Sequence, residues 1–192
     1  MHAQGADLET LETIVRERAP AHALDLGAGG GHVAYRMARH ARVMTAYDLS
    51  SEMLAAVAAT ASERGLDNVL TQQGAAEQLP FEAGTFDFLA TRYSAHHWRS
   101  FEAGLREARR VLKPGSCTVF VDSYAPGQPL FDTHLQAIEL LRDTSHCRDY
   151  SAAEWLAGLG RAGFALIGGI VPPMGRIKRA RSDLARRRPT RA

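Results

Sequence analysis

The spacing of apolar positions along this chain changes repeatedly between a helical and a strand-like period. Apolar residues three and four positions apart predict amphipathic helices, and short apolar runs bounded by Gly, Pro or Asp predict strands. The predicted helices cover residues 8–18, 31–40, 51–64, 101–112, 129–142 and 151–162. The predicted strands cover residues 23–26, 42–47, 69–73, 86–91, 117–121 and 164–170.

This alternation of strands and helices predicts an α/β fold. Crossover helices bring successive strands into parallel pairing, which gives a doubly wound, mostly parallel sheet. Ligands of such folds bind outside the carboxyl ends of the strands. The chemically distinctive segments all follow a predicted strand, at residues 27–31, 48, 75–77, 92–97 and 122. Their shared position predicts a single site at one edge of the sheet.

Composition and charge narrow the classes of protein that fit. Apolar residues make up 45% of the chain and charged residues 23%, as in ordinary soluble domains, and no apolar run has the length of a membrane span. The mildly acidic part before residue 176 does not favour a nucleic-acid surface. Cys117 and Cys147 lack metal-binding spacing and no secretory signal is evident, so we expect a cytoplasmic protein without a bound metal.

A cluster of glycines follows the first predicted strand, in the stretch LDLGAGGGHVAY. Glycine clusters indicate positive φ angles or close approach of the backbone to a ligand. The dinucleotide fingerprint G-x-G-x-x-G would need glycine where His32 stands, although a looser form fits from Gly29, and no P-loop motif is present. The stretch instead reads D-x-G-x-G-x-G, and Asp48 ends the next predicted strand.

These motifs resemble those of class I S-adenosylmethionine-dependent methyltransferases. The later stretches GAAEQLPFEAGTFDFLATRYSAHHW and GLREARRVLKPG look like the ubiquinone/menaquinone-biosynthesis methyltransferases of the methyltransferase type 11 group. The stretch LRDTSHCRDYSAAEWL is similar to a bacterial branch of that group. The resemblance covers roughly residues 20–170 in order, and it implies the Rossmann-like methyltransferase fold.

The resemblance also implies where S-adenosyl-L-methionine binds. Asp25 would face the methionine ammonium, the loop Gly27-Ala28-Gly29 would pass against the methionine and ribose, and Asp48 would accept hydrogen bonds from the two ribose hydroxyls. The remaining implied cofactor contacts are Leu49 and Met53 packed on the adenine, the Ala76 amide on the adenine ring, and the Arg92 carbonyl on the ammonium.

The adenine side departs from the family pattern at one position. Ala75 stands where relatives commonly carry an acid that bonds the adenine amino group. Glu77 or Gln78 could replace that acid.

Several residues are candidates for contact with the acceptor. His97 and His96 are the candidate catalytic bases, because histidine titrates near neutral pH. The plain alternative for this pair is one helix cap and one packed side chain. Further candidates, each with an equally plain role in a turn, an ion pair or packing, are Asp122, Tyr124, Arg142, Asp143 and His146.

The C-terminal segment departs from the methyltransferase pattern. Members of this fold usually end in an antiparallel strand, but Pro172-Pro173 is followed by basic residues without apolar alternation. We therefore expect a methyltransferase domain over residues 1–172 that lacks this last strand, and a basic, disordered tail over residues 173–192. The resulting open sheet edge would favour association, including a homodimer.

The resulting hypothesis is methyl transfer from S-adenosylmethionine to carbon or oxygen of a small-molecule acceptor. One alternative is a truncated or degenerate relative without catalysis, acting as a cofactor-binding or scaffold protein. A second alternative is a nicotinamide-dependent oxidoreductase, against which the AEQLPF stretch argues.

Overall fold

Seven strands form one sheet in the computed structural model, which describes residues 5–170 and 177–181. The strands are β1 His22–Leu26, β2 Val43–Asp48, β3 Val69–Gln73, β4 Phe86–Arg92, β5 Leu112–Val121, β6 Ala165–Ile170 and β7 Ile177–Arg181. The helices are α1 Ala6–Arg18, α2 His32–Ala38, α3 Ser51–Glu63, α4 Phe101–Val111, α5 Pro129–Arg142 and α6 Ala152–Arg161, with a short 3-10 turn at Ala95–His97.

The order of strands across the sheet is β3-β2-β1-β4-β5-β7-β6. The first five strands of this order are parallel, so the predicted doubly wound α/β fold is confirmed. Strands β1 and β4 are adjacent in the sheet. The strands that follow β1 are added on one side of this pair and the strand that follows β4 on the other side. A ligand is expected at this switch point, beyond the carboxyl ends of those strands.

Helices cover both faces of the sheet. Successive side chains of a strand point to opposite faces, so the protein has one hydrophobic core on each face. Ala23 of β1 packs in a core with α1, α2 and α3, whereas Leu24 packs in the opposite core with α4 and α6. All four of the apolar residues that predicted α1 are buried, namely Leu8, Leu11, Ile14 and Val15. No helix of the described ranges is both long and apolar enough to cross a bilayer.

The expectation that the last antiparallel strand is absent is wrong. Strand β7 lies between β5 and β6 and pairs antiparallel with both. Its sequence IKRAR shows no apolar alternation, whereas strand pairing depends on backbone hydrogen bonds that any residue except proline can make. The open edge that favoured a homodimer is therefore filled. The remaining positions of the expected tail, residues 173–176 and 182–192, lie outside the described residues.

Two helical glycines offer a matched test of core packing. A Cβ at Gly104 of α4 would lie 2.3 Å from Cε3 of buried Trp98, whereas a Cβ at Gly160 of α6 would meet nothing within 4 Å. We expect Gly104→Ala to lower the free energy of unfolding by about 1–3 kcal/mol through overpacking. Gly160→Ala should raise it by about 0.5–1 kcal/mol through helix propensity. Urea unfolding of both variants measures these changes, and equal effects would contradict the close packing of Trp98.

Candidate functional site

The glycine loop after β1 follows the neighbouring strand closely. The amides of Gly27 and Ala28 both donate to the carbonyl of Tyr47, at 2.8 and 3.0 Å. Gly27 and Gly29 have φ angles of 80° and 48°, which disfavour any side chain. A Cβ at Gly27 would collide with Oγ of Ser94, but a Cβ at Gly29 would enter open space. Gly29 thus leaves its backbone accessible at the mouth of the site.

Asp48 joins the glycine loop to the start of α3. Its Oδ2 accepts the Gly29 amide at 2.8 Å, and its Oδ1 accepts the Ser50 amide at 2.9 Å. Each carboxylate oxygen can accept a further hydrogen bond. The carboxylate is therefore held in a fixed orientation with acceptor capacity left for a ligand.

Asp25 is the buried charge of the site. The residue is 1% exposed, and neither carboxylate oxygen has a hydrogen-bond partner within the described ranges. Burial, reinforced by the negative charge of Asp48, raises the pKa of Asp25 to about 7. The opposing effects are smaller: the Ala34 amide, which does not form a regular hydrogen bond with the carboxylate, and the positive charge of Arg92. Asp25 does not line the pocket surface, but the two residues that follow it directly do. An orphaned buried carboxylate at this position would be compensated by a cationic ligand group.

The raised pKa of Asp25 predicts that a neutral residue at this position makes the protein more stable but weakens ligand binding. Because the folded-state pKa of about 7 lies above the ordinary value of 3.8, folding takes up a proton, and the residue's contribution to stability declines as pH rises through this interval. The decline is about 1.4 kcal/mol for each unit of pKa difference. Asp25→Asn should therefore melt higher than the parent at pH 8, with a smaller difference at pH 5, while binding S-adenosylhomocysteine more weakly. Thermal unfolding with and without that ligand measures both effects, and a lower melting temperature at pH 8 would contradict the assignment.

A cleft of about 740 Å³ opens beyond the carboxyl ends of β1, β2 and β4. The predicted cofactor residues that line it are Gly27, Gly29, Asp48, Leu49, Ala75, Ala76 and Glu77. An adjoining pocket of about 250 Å³ is lined by Ala28 and Arg92 together with the two loop glycines. Met53 lies in the first turn of α3, 46% exposed, and does not line either space. Leu49 lies at the rim of the cleft and is 65% exposed.

The side chain of Arg92 joins two elements next to the site. Its Nε donates to Oδ2 of Asp7 at 2.6 Å, which ties α1 to the end of β4. Asp7 lies in the first turn of α1, which begins at Ala6 after the N-cap Gly5. Tyr93, next along the chain, has a φ of 53° and lines both spaces. Such conformations cost about 1–3 kcal/mol and concentrate at functional sites.

The segment around Ala75 is held by Tyr47, a residue that sequence reasoning did not single out. The Tyr47 hydroxyl donates to the carbonyl of Ala75 at 3.1 Å and lies 3.4 Å from that of Gln78. Glu77, expected as a substitute for the missing acid, accepts the Ser100 amide through Oε1 at 3.1 Å. Glu77 therefore links this segment to the start of α4.

The two candidate bases have different surroundings. His97 lines the cleft, and its Nδ1 lies 3.1 Å from the carbonyl oxygen of Ser145. His96 does not line the cleft; its Nδ1 lies 2.5 Å from Oδ1 of Asp122. Burial lowers the pKa of His96, but the hydrogen bond and negative charge of Asp122 outweigh it and raise the pKa above its ordinary value.

The remaining candidates for contact with the acceptor also divide into residues that line the cleft and residues that do not. His146 lines the cleft, and the neighbouring Ser145 and Cys147, which the sequence did not indicate, line it too. Arg142 pairs with Glu139 on the surface of α5. Three candidates lie outside the cleft lining, namely Asp122, Tyr124 and Asp143. The carboxylate of Asp143 accepts from Ser145 and shapes the loop.

The geometry defines a class of protein. The sheet order with an antiparallel last strand, the glycine loop and the acid ending β2 are those of a Rossmann-like methyltransferase that uses S-adenosylmethionine. The orphaned carboxylate of Asp25 and the open space at Gly29 fit the ammonium and the close approach of that cofactor.

The chain belongs to the family described as methyltransferase domain, whose model matches residues 24–120. It is 46% identical to Escherichia coli YafE over 71% of this chain and 66% of that protein. It is 39% identical to the Bacillus subtilis methyltransferase YcgJ over 81% of this chain and 61% of that protein. The chain thus spans less than two thirds of the length of these relatives.

Two further comparisons agree with the family. The crystal structure of Bacillus subtilis YcgJ matches with a TM-score of 0.81 and 36% identity, covering 85% of this chain and 71% of that one. The ubiquinone/menaquinone biosynthesis C-methyltransferase of Rubrivivax gelatinosus is 40% identical over 53% of this chain and 40% of that protein. The predicted family and its cofactor, S-adenosylmethionine, are confirmed.

Proposed function

We propose that this chain binds S-adenosylmethionine in the main cleft and transfers its methyl group to a small-molecule acceptor. The observation that carries the proposal is the carboxylate of Asp48, held by the amides of Gly29 and Ser50 at the sheet's switch point. A fixed carboxylate with two oxygens is suited to the two hydroxyls of a ribose.

The surrounding residues would hold the other parts of the cofactor. Asp25 offers a buried negative charge for the ammonium, and Gly29 gives access to the backbone. Leu49, exposed at the rim, and the amide of Ala76 face the adenine in this proposal. The cofactor supplies an activated methyl group on a sulfonium, so the main task of the chain is alignment of the acceptor.

His97 is the proposed base for an acceptor that carries a proton. Nδ1 of His97 lies 3.1 Å from both the carbonyl oxygen and Oγ of Ser145. The hydroxyl donates its hydrogen to Asp143, so both oxygens can only accept from the ring. In the neutral ring Nδ1 therefore carries the hydrogen and Nε2 carries the lone pair. His97 lines the cleft, whereas His96 is engaged by Asp122 outside it. His97 is therefore preferred to His96 as the group that accepts a proton from the acceptor.

A ring or lipid-like molecule methylated at carbon or oxygen is the proposed class of acceptor. Support comes from the quinone-biosynthesis C-methyltransferase among the relatives and from Tyr93 and Trp98 in the cleft lining.

Cys117 and Cys147 are free thiols, which supports a reducing compartment such as the cytoplasm.

Transfer of a labelled methyl group tests the function. The protein is incubated with S-adenosylmethionine labelled at the methyl carbon and a bacterial small-molecule extract. We expect label in an extractable product and S-adenosylhomocysteine in equal amount, and much less of both with Asp48→Ala at a cofactor concentration near the parent Kd. Labelled protein without a labelled small molecule would contradict the proposed class of acceptor.

A second candidate is cofactor binding without transfer. The observation that favours it is the adenine side, where Ala75 provides no acid and Glu77 already accepts the Ser100 amide. This candidate predicts binding of S-adenosylhomocysteine with no product from any extract fraction. Product formation excludes it.

A further inference from the structure

Five side chains with metal-ligating atoms meet beneath the loop that follows α5. They are His96, Asp122, Glu139, His146 and Asp149. Ligand atoms of His96, Asp122 and Asp149 lie within 4.8 Å of one another, and so do those of Glu139, His146 and Asp149. Asp149 belongs to both groups, so the five side chains form one continuous set, named here the His–Asp cluster. The sequence did not reveal it because its members come from separate elements.

Asp149 is the unsatisfied member of the His–Asp cluster. The residue is 3% exposed, and its Oδ1 has no hydrogen-bond partner among the residues that the structure describes. Asp122 is also buried, with a side chain only 4% exposed. Buried carboxylates are costly unless cations or hydrogen bonds compensate them. Asp122 already contacts the His96 ring and accepts the Ser123 amide, so Asp149 is the carboxylate that a bound cation would compensate.

Hydrogen bonds of Gln136 fix which ring nitrogen of His146 is free to bind a metal. The Asp149 amide donates to Oε1 of Gln136 at 3.0 Å, and Nε2 of Gln136 donates to the Asp149 carbonyl at 2.9 Å, which fixes the orientation of the Gln136 amide. Nε2 of His146, 3.0 Å from the same Oε1, must then be the donor. In the neutral ring this leaves the lone pair on Nδ1. Metal-ligating histidines commonly donate their other ring nitrogen to such an oxygen.

We propose that the His–Asp cluster binds one divalent transition-metal cation. Each of the two groups offers one imidazole and two carboxylates. A mixed nitrogen and oxygen set of this kind favours Mn²⁺, Fe²⁺, Co²⁺ or Zn²⁺ over Mg²⁺ or Ca²⁺, which prefer oxygen ligands alone. His146 lines the main cleft, which offers an entry path. The His96 ring lies next to that of His97, with centroids 4.2 Å apart and planes tilted by 51°, so the cation would lie next to the acceptor end of the cleft. The proposal does not depend on the proposed methyl transfer.

Titration with Co²⁺ alone tests the site. The full chain is treated with a chelator, freed of it, and titrated while visible absorption and heat are recorded. We expect one Co²⁺ per chain with the absorption of a nitrogen- and oxygen-coordinated ion, and a rise in melting temperature. Asp149→Asn and His146→Gln should each lower the affinity at least tenfold, because the first removes the negative charge of a ligand and the second removes the imidazole nitrogen.

His134→Gln is the matched control. His134 lies exposed on α5, outside the His–Asp cluster, and this variant should bind Co²⁺ as the parent does. If one cluster variant fails to fold, the other decides. Absence of stoichiometric binding would overturn the proposal, as would binding that both cluster variants retain or that His134→Gln abolishes.

Discussion

The Gly29→Val variant is expected to lose measurable binding of S-adenosylhomocysteine while keeping its fold. Gly29 has a φ of 48°, and a Cβ there would enter open space beside the Asp48 carboxylate. The valine methyls would occupy the path of the cofactor backbone, and a β-branched residue resists a positive φ. Calorimetric titration at ligand concentrations a hundred times the parent Kd measures the loss.

Gly65→Val separates occlusion from backbone strain. Gly65 follows α3 with a φ of 65°, and a Cβ there also meets nothing within 4 Å. Both variants carry the same kind of strain, but Gly65 does not line the cleft. We expect similar losses of melting temperature and normal binding by Gly65→Val. Normal binding by a folded Gly29→Val protein would mean that the glycine serves only the turn.

The Asp48→Ala variant is expected to bind S-adenosylhomocysteine about 10- to 150-fold more weakly than the parent. Hydrogen bonds to charged groups contribute about 1.5–3 kcal/mol each, and the variant loses the carboxylate proposed to bond the ribose. It also frees the amides of Gly29 and Ser50, which loosens the loop. Calorimetry at constant salt measures the affinity.

Asp67→Ala is the control for Asp48→Ala. Asp67 lies exposed in the turn before β3, outside the cleft lining, so the change in net charge is the same while the site stays intact. We expect parental affinity from Asp67→Ala. Equal affinity of both variants would remove Asp48 from the binding site.

Much of the parallel fold could be predicted from the sequence because its signals are local. The bounds of β3 and α5 agree with the prediction, and Ser50 and Ser100 cap α3 and α4 through their hydroxyls. Strand β7 could not be predicted, because its place between β5 and β6 depends on pairing with β5, which lies far back in the sequence, and its residues lack alternation. Pairing between remote segments leaves little trace in a local pattern.

The candidate site was predictable where residues directly follow a strand. Asp48 and the glycine loop lie together because β1 and β2 are adjacent and parallel. The sequence did not predict that Tyr47 holds the segment at Ala75, or that Asp7 pairs with Arg92, a residue 85 positions away. It also did not predict the orphaned Oδ1 of Asp149. These contacts depend on side chains that only the tertiary fold brings together.

Asp25 and Gly29 are both residues that lower the stability of the protein without a ligand. One is a buried carboxylate without a hydrogen-bond partner in the described ranges, and the other requires a left-handed backbone at an accessible position. Each is costly in the protein alone, and each has a reason in a ligand with a positive charge and a narrow approach. The pattern favours a binding cleft over a purely structural role.

Calorimetric titration of the parent protein with S-adenosylhomocysteine, repeated in the presence of reduced nicotinamide dinucleotide, tests the central claim most directly. Because Gly29 and Asp48 line one cleft, we expect saturable binding of one S-adenosylhomocysteine per chain. The dinucleotide should not change the affinity. Absence of binding, or displacement of the ligand by the dinucleotide, would contradict the assignment of this cleft to S-adenosylmethionine.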